Sequence, residues 1–140
     1  MTIYMKPTIT EEKIASLEVY DAYRYGEELL SSRFPREAAM VLAKVVDAEP
    51  EHAGAWELVG RAHFAAAHLE PAEQAFRRLV ELEPTSAWAR TALGLCLDRQ
   101  SRHREGAAQH RIAEGLGVTP GDAHRIELVD PAPSDPTLWT

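Results

Sequence analysis

At 140 residues and 45% apolar composition, the chain can bury one core but not two independent ones. A formal net charge of -7 and a pI near 5.3 argue against nucleic acid as a partner, and a single cysteine, Cys96, rules out an internal disulfide and a multi-cysteine zinc site. No apolar run approaches the roughly 18 residues that a membrane helix needs, and "MTIYMKPTITEEK" lacks the apolar core of a signal peptide, so a cytoplasmic protein without a membrane partner is expected. Arginine outnumbers lysine twelve to three and alanine is abundant, which suggests a bacterial source.

Residues 1–15 read as an N-terminal extension. Apolar periodicity then predicts six helices, over Ser16–Ser32, Pro35–Glu49, Ala53–Ala67, Pro71–Glu83, Ser86–Gln100 and Arg104–Gly115. In the middle of this run Trp56, Val59, Gly60 and His63 make one helical stripe, and Ala72, Phe76, Leu79 and Val80 make the next. Gly26, Gly60 and Gly94 recur every 34 residues, and the pairs Ala38/Ala72, Leu42/Phe76 and Pro50/Pro84 keep the same interval. The region 16–118 is therefore an all-α array of three helix-turn-helix units, 19–52, 53–86 and 87–118. Residues 119–140 form an acidic, proline-rich tail. "HRIELV" alternates enough for a short strand there, Pro131, Pro133 and Pro136 favour extended chain, and Trp139 is the candidate anchor of the tail on a groove.

These positions resemble the tetratricopeptide repeat family. Trp56, Gly60, Ala72, Phe76 and Pro84 of the second unit match the family pattern, with Val59, His63 and Leu79 as conservative departures. The first unit keeps Gly26, Ala38 and Pro50, and the third keeps Leu93, Gly94 and Ala113 but has Arg90, Gly106 and His110 at pattern positions. The resemblance implies a right-handed α-solenoid with an irregular C-terminal tail. The glycines fall where the two helices of a unit cross, so a larger residue there would overpack the crossing by roughly 1–3 kcal/mol.

The reactive residue types read mostly as architecture. Two histidines five apart on one helix diverge by about 140°, so His63 and His68 are not expected to share an ion, and no pair of histidines has the i, i+4 spacing of a helical metal site. His63 and His110 occupy aromatic packing positions, His103 lies in a turn, and Cys96 replaces a small buried residue. No catalytic triad order or phosphate loop is recognisable, so no enzyme, cofactor or metal is assigned. The competing class is an enzyme or cofactor-binding subunit built on His103, His110 and Cys96.

If the packing stripe of each first helix faces inward, helical geometry puts another set of residues on the opposite side. In the family that side lines the concave groove. It comprises Tyr20, Tyr23, Glu27, Leu30 and Ser31, then Gly54, Glu57, Arg61, Phe64 and Ala65, then Trp88, Thr91, Leu95, Asp98 and Arg99. Aromatic residues and arginine are the types enriched at interface hot spots. The carboxylate clamp of chaperone-binding family members is absent, since Tyr23, Glu27, Leu58, Trp88 and Ala92 stand in its places. The expected function is a non-enzymatic interaction module for a peptide, a partner helix or another copy of the chain. A small chaperone for an exported or aggregation-prone client is the alternative.

Overall fold

The computed structural model describes residues 6–117, and every regular element among them is helical. The order is α1 (Glu11–Ser16), α2 (Val19–Ser31), α3 (Pro35–Ala48), α4 (Ala53–Ala65), α5 (Leu69–Leu82), α6 (Ala87–Arg99) and α7 (His103–Gly115). The first helices of the three units start at Val19, Ala53 and Ala87, and the second helices at Pro35, Leu69 and His103, so both series keep the 34-residue interval. Each long helix packs on its neighbours in sequence, within a unit (α2 on α3, α4 on α5, α6 on α7) and between units (α3 on α4, α5 on α6). This is the three-unit solenoid that the sequence predicts. The expected tail, its strand and Trp139 lie outside the described residues.

Two helix starts differ from expectation by more than one residue. The first long helix begins at Val19 rather than Ser16, because Leu17 and Glu18 are extended, and a short extra helix, α1, precedes it. That segment is tied down: Ile9, Ile14 and Leu17 pack on the first core, and the Lys44 ammonium donates to the carbonyls of Ile14, Ala15 and Leu17 at the end of α1. The fifth helix begins at Leu69, two residues before Pro71, which the first turn tolerates because an N–H there has no intrahelical acceptor.

The starts and stops repeat with the helices. His52 and Ser86 cap α4 and α6 by accepting from the backbone N–H of Ala55 and Ala89. Each first helix ends in the same pair of backbone bonds: Phe34 N–H to Leu29 and Arg33 N–H to Leu30, then His68 to His63 and Ala67 to Phe64, then Arg102 to Leu97 and Ser101 to Asp98. This is the Schellman motif, which requires a left-handed residue after the cap. Arg33, Ala67 and Ser101 fill that place with φ of 67°, 61° and 61°, although none is glycine.

The interior shows why the recurring glycines are needed. A Cβ on Gly26 would sit 2.4 Å from Leu42 Cγ, on Gly60 2.4 Å from Phe76 Cε1, and on Gly94 2.6 Å from His110 Cε1. The second helix of each unit thus drives one large side chain onto the glycine of the first. Between units, Ala55, Leu58 and Ala62 of α4 are buried, as are Ala89, Ala92 and Cys96 of α6. Their counterparts in α2 are Asp21, Arg24 and Glu28, all exposed. At the other end Ala107 and Glu114 of α7 are exposed where α3 buries Ala39 and Val46. The outer face of α2 is thus polar where the later first helices bury apolar residues, whereas the end of α7 leaves Ile112 and Leu116 partly exposed.

Candidate functional site

The residues singled out on the first helices occupy one side of α2, α4 and α6, and neighbouring units touch there. Tyr23 of α2 stacks on His52 at the start of α4, with ring centroids 5.1 Å apart. Phe64 of α4 lies under the Arg99 guanidinium of α6 at 5.2 Å, a cation–π contact. Between these contacts Arg61 pairs with Glu57 at 3.5 Å one turn earlier. Tyr20 is 69% exposed and is the most exposed large hydrophobic among the described residues. Burial first, then the negative charges of Glu27 and Glu57, push the Tyr23 hydroxyl up to about 12, so it stays a neutral hydrogen-bonding group.

Burial divides the predicted residues. Glu27, Glu57, Phe64 and Leu95 are half-buried and Arg99 is exposed. Trp88 is 6% exposed and meets Phe76 edge-on at 6.1 Å, so its ring serves the core of the second and third units. Thr91 is wholly buried, and its hydroxyl donates to the Ala87 carbonyl one turn back. Arg61 is buried as well, with its stem and head among packed helices. The residues accessible on this face are thus Tyr20, Tyr23, Glu27, Glu57, Phe64, Leu95 and Arg99.

Of the residues of the competing enzymatic reading, His103 and His110 both approach Asp98, and Cys96 stands apart from them. His110 Nε2 lies 2.9 Å from Asp98 Oδ2 and His103 Nδ1 lies 3.6 Å from Asp98 Oδ1. Cys96 points elsewhere on α6, donating to the Leu69 carbonyl at 3.2 Å. Burial, then the charge of Glu73, push its thiol up to about 11, the reverse of what a nucleophilic thiolate needs.

Two clusters escape the sequence reading. Glu73, buried on α5, accepts from Arg77 Nε at 2.7 Å, Arg102 Nη1 at 2.6 Å and Gln100 Nε2 at 3.0 Å, and Arg102 also grips Glu105 through two bonds. Burial works to raise the Glu73 carboxyl, but these hydrogen bonds outweigh it and hold the group below the ordinary carboxylate range. No spacing rule links residues 27 to 29 apart, so only the packed turn reveals this network. The second cluster corrects the expectation that His63 and His68 diverge: their Nδ1 atoms are 3.4 Å apart. The two side chains meet because α4 ends at Ala65 and the left-handed Ala67 folds His68 back over the last turn.

Three helix-turn-helix units in 34-residue register, glycine against a large side chain in each, define a tetratricopeptide-repeat-like solenoid. Solved structures of MamA share the fold. MamA from Desulfovibrio magneticus RS-1, from its residue 41 to the end, is 29% identical with a TM-score of 0.68, over 71% of this chain and 56% of that one. A point mutant of MamA is 21% identical with a TM-score of 0.71, over 78% of this chain and 81% of that one. The chain therefore spans little more than half of the solved RS-1 chain. No protein-family model matches the sequence, and no curated protein matches it. No helix among the described residues is long and apolar enough to cross a membrane.

Proposed function

We propose that the chain is a non-enzymatic protein-interaction scaffold whose α2–α4–α6 face receives a peptide or a partner helix. The observation that carries this reading is the half-buried Phe64 ring beneath the exposed Arg99 guanidinium, on first helices that also carry the accessible residues Leu95, Tyr20 and Tyr23. Aromatic surface next to an arginine head offers apolar burial together with a fixed charged contact, the combination found at interface hot spots. The helices beneath it are preformed, so little ordering cost opposes binding. The likeness to MamA solenoids supports a protein-interaction and assembly role at this coarse level. A segment with an apolar side chain for Phe64 and a carboxylate for Arg99 is the matching ligand.

The test is affinity capture with identification of partners, comparing the natural chain with a Phe64→Ala, Arg99→Ala double variant. Both positions are accessible, so helicity should be unchanged while specific partners are lost. Equal capture by both proteins would remove this face from consideration. Sedimentation of the chain across a range of concentrations addresses a second copy as the occupant. A mass that stays monomeric excludes it.

A further inference from the structure

We propose that His63 and His68 form a two-nitrogen binding site for a divalent transition-metal ion of the class that favours imidazole: Zn2+, Cu2+ or Ni2+. Each first helix ends in a Schellman motif, in which the side chains three residues before the cap and two after it meet, usually through an apolar contact. The first unit has Leu29 and Phe34 in these places, both packed on the core, and the third has Leu97 and Arg102. The second unit alone has two histidines. Their rings are 5.6 Å apart at 46°, with the His68 N–H donating to the His63 carbonyl at 2.8 Å, so the backbone motif itself fixes the approach.

The spacing suits a metal. Two imidazole nitrogens bound to zinc at tetrahedral angles are about 3.4 Å apart, and the two Nδ1 atoms are separated by 3.4 Å. In the metal-free pair one Nδ1–H faces the other Nδ1, and a bound ion takes that place once the ring shifts to the tautomer with its proton on Nε2. Burial first, and then the neighbouring His68, hold His63 below its ordinary value, which keeps its ring neutral and its lone pair available at pH 7. His68 is exposed, so its ring can turn and an ion can enter from solvent. Among the described residues no group of three His, Cys, Asp or Glu side chains is placed to hold an ion. The remaining coordination positions therefore go to water or to a ligand from a bound partner.

The experiment uses the full chain without an affinity tag. Zn2+ titration by calorimetry should show one saturable ion per chain and a rise in Tm, and the Cu2+ electron paramagnetic resonance spectrum should report two nitrogen ligands. Losing an outer-sphere partner already costs about 10–100-fold in metal affinity, so losing a ligand in His68→Gln should weaken binding at least about tenfold. His63→Gln should do the same, and the exposed control His103→Gln should not. Because His68 is exposed, its variant remains informative even if the His63 variant misfolds. Absence of saturable Zn2+ binding, or binding that the His68 variant leaves unchanged, overturns the site, the latter identifying an adventitious ion on other histidines. Partner capture through Phe64 and Arg99 does not depend on this result.

Discussion

Gly60 in the second unit is covered by the wholly buried ring of Phe76, whereas Gly94, 34 residues later, is covered by the partly exposed ring of His110. Backbone and register are the same, yet the first contact is hydrocarbon inside a core and the second a polar ring held by Asp98. His110 Nδ1 and, nearby, Arg90 Nε are buried without a hydrogen-bond partner. The last helix among the described residues, α7, buries only Gly106 and Ala113, and the Glu73–Arg102–Glu105 network holds its first turn to α5. A repeat can therefore keep its geometry while exchanging apolar packing for polar contacts, and the expected consequence is lower local stability.

The largest expected effect breaks the apolar member of this pair. Phe76→Ala should cost about 3–5 kcal/mol in denaturant unfolding, while His110→Ala at the matched place should cost on the order of 1–2 kcal/mol. Equal losses would mean that the two units share one level of packing. Next comes the network. Glu73→Gln should cost about 2 kcal/mol by weakening hydrogen bonds to charged donors in a buried site. A carboxyl held low in the folded state contributes stability above its unfolded value near 4.5, and this contribution is lost as pH falls through the folded value. Hydrogen exchange on acidification should accordingly show α7 opening before α4 and α5, and the variant should lose much of this dependence.

Adding one carbon probes the crossings directly. Gly60→Ala should cost about 1–3 kcal/mol because Phe76 has nowhere to move, whereas Gly94→Ala should cost less, since His110 can shift toward solvent. The smallest effect belongs to His63. Its lowered folded-state value means that stability is full above the unfolded value of 6.5 and declines as pH falls below it, so a shallow loss of Tm between pH 7 and 5 is expected. His68→Gln should reduce that slope, because it removes one cause of the shift.

The sequence by itself determined the repeat. The 34-residue spacing of Gly26, Gly60 and Gly94 places every long helix within a few residues, because a glycine facing a large side chain is a requirement that one dimension can record. It also holds Asp21, Arg24 and Glu28, polar where the later first helices bury apolar residues. The left-handed series Arg33, Ala67 and Ser101 was not legible, since no residue type there signals positive φ and only the packed turn imposes it. On the candidate face, helical angles grouped residues along one side of each helix but gave no depth for each side chain. Only packing between units buried Trp88, Thr91 and Arg61 and left Phe64 partly open beneath Arg99. Tertiary structure alone likewise gathered Glu73 with Arg102 and turned His68 back onto His63. Such contacts arise where the chain leaves the helix, and there the periodicity that carries sequence reasoning ends.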